Sequence, residues 1–356
     1  MISASSQYLL GLLAVDHPIV QAPMAGTSTP ALAAAVANAG GLGSIAVGAI
    51  NAAAAGDMIA AFRERSGRSL NVNLFCHAPA QPAPAREAAW LARLRPEFEA
   101  VGAQPPTGLQ EIYRSFLQDD DMLAMLLAAR PKVVSFHFGL PSLERVRALR
   151  EAETILLASV TNLHEAQLAA EAGVHAVVAQ GYEAGGHRGI FDPDGEDTQL
   201  GTVALVRLLT RALDLPVIAA GGLMDGAGIA AALQLGASAA QLGTAFIATD
   251  ESAADAGYRA ALFGTAAHHT VMTRVISGRP ARCLANRFTA WGADVPAAEI
   301  PAYPIAYDTG KALNAAAKAA SEFGYGAQWA GQGAPLARAR PAGALMAELI
   351  AELAGV

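Results

Sequence analysis

Eight short apolar runs rich in β-branched residues recur along the chain, and most are followed by an alanine-rich stretch with helical spacing. The runs are Ile19–Ala22, Leu42–Val47, Leu70–Phe75, Val133–Phe138, Ile155–Val160, Ala176–Gln180, Pro216–Ala220 and Ala239–Ile247. They are continuous rather than alternating, as expected of parallel strands covered on both faces. Helical patterns lie between them at Pro30–Ala39, Ala52–Arg65, Asp120–Ala129, Ser142–Arg150, Asn162–Ala172, Thr202–Leu213 and Ala227–Leu235. Ala39-Gly40, Ala172-Gly173 and Leu235-Gly236 each end such a helix shortly before a strand, with glycine suited to the left-handed position past the last turn. Asn162 followed by Glu165 reads as a helix cap and its partner. Eight such units predict an α/β fold, a (β/α)8 TIM barrel over residues 1–249.

Two stretches break the rhythm. Residues 77–119 carry Pro79, Pro82, Pro84, Pro96, Pro105 and Pro106 and read as an excursion after the third strand, with a helix near Arg86–Arg95. Residues 250–333 form no ninth unit and are expected to be a mostly helical addition covering the active-site end, because long insertions of this kind are often lids or substrate walls. Residues 334–356 contain Ala342–Ala354, expected to be a C-terminal helix packing on the barrel.

A hydrophobic share of 53% would suit a membrane protein, but 84 of the 356 residues are alanine. The longest stretch without Asp, Glu, Lys or Arg, His17 to Gly56, is broken by Pro18, Pro23, Pro30 and several glycines, so no membrane-spanning helix is expected. A net charge of −7 argues against a nucleic-acid partner. Two cysteines, Cys76 and Cys283, exclude a disulfide scaffold and fit a reducing compartment. The N-terminus lacks the basic-then-apolar pattern of a signal peptide. A cytoplasmic protein, monomer or homodimer, is expected.

In a barrel of this kind the active site lies at the C-terminal ends of the strands. The first run ends in Ala22-Pro23-Met24-Ala25-Gly26, which reads equally as a tight turn or as backbone passing close to a flat ligand. Asn71 and Asn73 lie on one side of the third run and need hydrogen-bond partners, from a polar ligand or from a loop carbonyl. His137 reads as a core histidine or a ligand contact. The densest polar loop is Gln180-Gly181-Tyr182-Glu183-Ala184-Gly185-Gly186-His187-Arg188-Gly189, where glycines free backbone amides and His187 can act as acid or base. Ala219-Ala220-Gly221-Gly222 and Gln241-Leu242-Gly243-Thr244 end neighbouring strands and read as a phosphate cradle, with close strand–helix packing as the alternative. Tyr303, Tyr307 and Lys311 are spaced to share a helix face, and Lys311 is one of only three lysines. No metal site is expected: His268-His269 are adjacent and neither cysteine has a partner at ligand spacing.

In this order, Gln21-Ala22-Pro23-Met24-Ala25-Gly26, Asn71-Val72-Asn73, the Gln180–Gly189 loop, Ala219–Gly222 and Gln241–Thr244 resemble the FMN-dependent nitronate monooxygenases, formerly called 2-nitropropane dioxygenases. Tyr303, Tyr307, Lys311 and Trp329-Ala330-Gly331-Gln332-Gly333 resemble the class I branch. The resemblance runs from Ile19 to about Gly333. It implies a barrel holding non-covalent FMN, with the phosphate at Gly222 and Gly243-Thr244. Ala22, Pro23, Met24, Asn73, Gln180, Gly185, Gly186, Gly221, Gln241 and Leu242 would complete the cofactor site, with Met24 against the flavin ring. His187 matches the family's active-site histidine, and Tyr303, Tyr307 and Lys311 its substrate wall. The implied reaction is oxidation of an alkyl nitronate such as propionate 3-nitronate by O2, giving a carbonyl compound and nitrite by way of an anionic flavin semiquinone. A cation, Lys311 or protonated His187, would hold the nitronate; a neutral His187 would instead take a proton from a neutral nitroalkane.

Two other readings share parts of this pattern. One is an NAD(P)H-dependent FMN barrel reductase, acting on enoyl-acyl-carrier-protein or quinones. The other is a flavin-free phosphate-binding lyase or isomerase.

Overall fold

The computed structural model describes residues 3–356. Eight parallel strands form the barrel: β1 (Ile19–Gln21), β2 (Gly43–Ala46), β3 (Leu70–Phe75), β4 (Val133–His137), β5 (Ile155–Val160), β6 (Ala176–Gln180), β8 (Val217–Ala220) and β9 (Ala239–Leu242). Between β6 and β8 lies β7 (Gly186–His187), which belongs to a different sheet. The barrel order is β1-β9-β8-β6-β5-β4-β3-β2, and a parallel bridge from Val20 to Leu42 joins its two ends. Nearly every strand residue is buried, because side chains facing out meet the helices and those facing in meet one another.

Helix signals in the sequence act where expected. Thr29, Asn51, Asp119, Ser142 and Asn162 each accept a hydrogen bond from a backbone N–H three residues on. Glu165 does not close a box with Asn162; its carboxylate takes the N–H and Oγ1 of Thr161 and the N–H of Phe191. Gly40, Gly173 and Gly236 all have positive φ, as a left-handed helix exit requires.

An N-terminal helix, Ala4–Leu13, lies outside the predicted pattern. Its Leu9 and Leu13 pack on Val20, Leu42, Val133, Ile155, Ala176 and Ile218, which sit at or near the N-terminal ends of barrel strands. This plug closes one mouth and leaves the other for the site. The eighth predicted strand, Ala239–Ile247, is too long: the strand stops at Leu242, and Thr244–Ile247 is a helical turn. A fully buried apolar run has no period that separates strand from helix, and Gly243 marks the break.

The excursion contains the helix Pro84–Ala100, and the later addition contains the helix Ile305–Ala319. Trp90, Leu94 and Phe98 of the first share an apolar cluster with Phe288, Leu313 and Tyr325, so excursion and addition cover the open mouth together. The addition also holds β10 (Thr270–Thr273) and β11 (Ala281–Leu284). These pair antiparallel, and β11 pairs in turn with β7, opposing Ala281 to His187 and Arg282 to Gly186. No strand pattern announces this sheet in the chain, because its segments are short and β7 is only two residues long. The helix Ala342–Ala354 buries Leu345, Met346 and Leu349 beside Ile19, Leu32 and Ile229. Among the described residues, no helix is long and apolar enough to cross a membrane.

Candidate active site

The C-terminal ends of the barrel strands open on one cavity of about 370 Å³, within the usual size of a cofactor or small-ligand site. It is bordered by Ala22, Pro23 and Met24 after β1, Asn73 in β3, Gln180 ending β6, and Gly185, Gly186 and His187 in the polar loop. Gly221 and Gly222 after β8, Gln241, Gly243 and Thr244 at β9, and Tyr303, Tyr307 and Lys311 of the addition complete it. Leu242 does not join them. Its side chain is fully buried between barrel and helices beside Ile19, Leu32 and Val36, because neighbours along a strand face opposite ways. Asn71 also stays out, donating to Ser44 Oγ at 3.1 Å deeper in the barrel.

The polar loop is fixed from both sides. Gln180 donates from Nε2 to the His187 carbonyl at 3.0 Å and accepts from the Gly189 N–H at 2.7 Å. The fully buried Arg188 pairs with Asp197 at 2.9 and 3.0 Å. Arg282 of β11 donates to the Tyr182 carbonyl at 2.8 and 3.1 Å. The loop is therefore a clamped element, and His187 enters the cavity from a rigid backbone.

The His187 ring lies among aromatics: 5.0 Å from Trp329, 5.4 Å from Tyr303, 5.5 Å from Phe138 and 6.0 Å from Tyr307, between centroids. Its Nε2 is 2.8 Å from Ser277 Oγ. Ser277 Oγ also lies 3.2 Å from the Arg279 carbonyl and 3.4 Å from the Arg279 N–H; with its proton given to that carbonyl, we assign the Nε2–H tautomer to His187, its Nε2–H donating to Ser277. Nδ1 carries the lone pair and makes no protein hydrogen bond, yet is not sealed from the cavity. Burial holds the imidazole well below its usual 6.5, and His137, Arg279 and His77 push the same way. His187 is thus a neutral base with one nitrogen held and the other free.

The glycines divide by cause. A Cβ on Gly185 would strike Gly331 N at 2.4 Å and one on Gly221 would strike Thr202 Oγ1 at 2.8 Å, so close packing explains both. Gly222 needs its φ of +72°. Gly243 has neither reason: a Cβ there would meet only Ala22 Cβ at 3.4 Å and Met24 Sδ at 3.8 Å. Among the described residues, the N–H groups of Gly222 and Gly243 donate to no protein atom. Two free amides and a bare glycine fit an anionic group of a ligand. The helix after β8, Gly226–Gln234, contributes less than the strand-end pattern implied, since Asp225 and Glu352 already take its Gly228 and Gly226 N–H groups. Asn73 donates to Ser135 O and Oγ, leaving Oδ1 toward the cavity, and among the described residues Gln241 has no partner for its amide.

Tyr303 precedes the helix and only Tyr307 and Lys311 lie on it, although all three reach the cavity. Tyr303 presents its ring; its hydroxyl is buried and unpartnered. Burial pushes Tyr307 up to about 12, so it stays a protonated donor. Lys311 Nζ sits 4.8 Å from the Tyr113 ring centre and 5.5 Å from that of Tyr307; burial lowers it and Asp308 opposes the shift. Sequence reasoning missed Tyr113, Phe138 and Trp329 as walls: Tyr113 lies in the irregular excursion, Phe138 reads as the end of the fourth strand, and Trp329 entered only as part of the class I motif. His137 borders the cavity and bonds the His187 carbonyl at 3.2 Å.

A family model described as nitronate monooxygenase matches residues 6–352. The chain is 61% identical over 345 residues to a nitronate monooxygenase of Paraburkholderia phytofirmans, covering 97% of this chain and 94% of that protein. It is 54% identical to a nitronate monooxygenase of Pseudomonas aeruginosa, covering 97% and 98%. Among solved structures, a nitroalkane oxidase from Streptomyces ansochromogenes superposes with a TM-score of 0.88 at 42% identity, over 98% of both chains. FabK from Thermotoga maritima follows at 0.74 and 29%, over 98% and 96%. By sequence over nearly its whole length and by barrel architecture, this chain belongs to the nitronate monooxygenase family of oxidoreductases.

Proposed function

We infer that this protein binds FMN and oxidises small alkyl nitronates, such as propionate 3-nitronate, with O2 to a carbonyl compound and nitrite. The observation that carries the reading is His187, a neutral imidazole with one nitrogen held by Ser277 and the other free in a cavity that also holds two unused glycine amides. Gly222, Gly243 and Thr244 would hold the FMN phosphate. Asn73, Gln180, Gly185, Gly186 and Gln241 would line the flavin and its ribityl chain, and Ala22, Pro23 and Met24 would face the ring. Bound there, FMN supplies the one-electron chemistry that no side chain of this cavity can.

The protein's own share is orientation, charge and proton handling. Lys311 and the Tyr307 hydroxyl attract and orient the anionic nitro oxygens. His187 Nδ1 takes the carbon-bound proton when the compound arrives as a neutral nitroalkane. The rings of Tyr113, Phe138, Tyr303 and Trp329 exclude water from the reacting carbon. Of the two roles open to His187 in the sequence, its neutral state favours the base and leaves Lys311 as the cation.

The test is the visible spectrum of the purified protein, repeated after anaerobic addition of propionate 3-nitronate. A flavin band that changes on addition, followed by nitrite release when air is admitted, is expected. A flavin band that responds only to NADH or NADPH would replace this reading with a reductase. Failure to retain or take up FMN would remove both.

A further inference from the structure

Arg279 lies in the turn between β10 and β11, two residues after Ser277, and is only 2% exposed. Its guanidinium carbon is 4.3 Å from the centre of the Phe138 ring. Phe138 also contacts three imidazoles, with centroids 4.4 Å from His137, 5.5 Å from His187 and 6.3 Å from His77. One Nη donates to the Ile190 carbonyl and, at 3.4 Å, to that of Phe191, and among the described residues Nε donates to nothing. The Tyr303 phenol faces Arg279 but burial keeps it protonated, and the carboxylates whose charge reaches Arg279 are Glu165 and Asp194. Both are engaged elsewhere: Asp194 with Arg274 at 3.0 Å, and Glu165 with Thr161 and the Phe191 N–H. Asp197 is taken by Arg188. Among the described residues, no carboxylate pairs with Arg279.

A buried cation without a counter-ion is costly, and an apolar side chain of similar volume would serve packing better. Its charge also reaches further through a low-dielectric interior than through water. The groups facing His187 are His137 from β4, His77 beyond β3, Tyr303, Tyr307, Trp329, Ser277 and Arg279. None of them is a carboxylate, and burial keeps the Tyr303 and Tyr307 phenols protonated, so no negative charge on the near side offsets the guanidinium.

We propose that Arg279 is an electrostatic positioning residue: its uncompensated guanidinium behind Phe138 gives the cavity a positive field that draws an anionic substrate and opposes a second positive charge on the His187 ring. The substrate half rests on the nitronate reading; the histidine half does not. The experiment is an NMR titration of the His187 imidazole in flavin-loaded protein with labelled histidine, the resonance being identified by its loss in H187N. The wild-type midpoint is expected below 6.5. In R279Q it rises by roughly one pH unit, and in R279K it stays near wild type. In parallel, KM for propionate 3-nitronate rises about tenfold in R279Q with a smaller change in kcat, and R279K recovers most of it.

An unchanged midpoint in R279Q, or an R279K that behaves like R279Q, overturns the proposal. Should R279Q fail to fold, R279M, uncharged and of similar length, takes its place with the same expected rise, and a wild-type midpoint at or above 6.5 overturns the proposal on its own. A protein that does not oxidise nitronates at all would sink the functional reading and leave the titration to judge Arg279.

Discussion

Ser277 Oγ lies 2.8 Å from His187 Nε2 and gives its own proton to the Arg279 carbonyl, and this pair decides which imidazole nitrogen is free to act. Without it the ring has no fixed tautomer. S277A is expected to lower kcat/KM for a neutral nitroalkane by about tenfold, and H187N by about 10² to 10⁴, with flavin retained in both. Steady-state oxygen consumption measures this. Wild-type turnover in H187N would show that the base lies elsewhere.

Gly243 has ordinary van der Waals space where a Cβ would stand, and no positive φ. G243D is therefore expected to fold and to lose its flavin, since a carboxylate would face the free amides. Absorbance at flavin wavelengths and a thermal melt separate the two effects. A fully flavin-loaded G243D would mean that the phosphate lies away from β9.

Tyr303 and Tyr307 border the same cavity, but only Tyr303 buries its hydroxyl without a partner. Y307F should raise the nitronate KM about tenfold, as expected for a lost hydrogen bond to a charged group. Y303F should raise it by a smaller factor and leave the melting temperature equal or higher. Kinetics in which Y303F is the more damaging would reverse the assignment.

His77 is 1% exposed, and burial with the nearby Arg279 lowers it to about 4 against the opposing pull of the Tyr113 backbone. The unfolded chain takes up this proton near 6.5. The stabilising contribution is therefore complete above about pH 6.5 and is lost as pH falls toward 4, by on the order of 3 kcal/mol. His137, also lowered to about 4 by burial and Arg279, acts in the same direction. H77F should flatten the fall in melting temperature between pH 6.5 and 4. Calorimetry showing an equally steep fall in H77F would refute this.

Asp197 is the counter-ion of the fully buried Arg188 behind the histidine loop. D197A leaves that charge unpaired and should cost about 3 kcal/mol. Urea denaturation measures the loss. A D197A protein as stable as wild type would place the loop's rigidity in Gln180 and Arg282 instead.

The barrel was legible in the chain alone, because eight continuous apolar runs separated by capped alanine-rich helices have few other ways to bury themselves. Of the residues the sequence singled out for the site, all but Leu242 border the cavity, since strand ends followed by glycine are local signals and the family's motifs coincide with them; the aromatic walls Tyr113, Phe138 and Trp329 were not legible. Leu242 was the exception, because membership of a motif does not say which way a strand residue faces. The pairing of β7 with β11 belongs to the folded molecule, and it brings Ser277 and Arg279 to His187 across about 90 residues of chain. The neutral state of His187 arises there as well, because a side chain's charge depends on what buries it and which charges lie beside it, and neither is written in its neighbours along the chain.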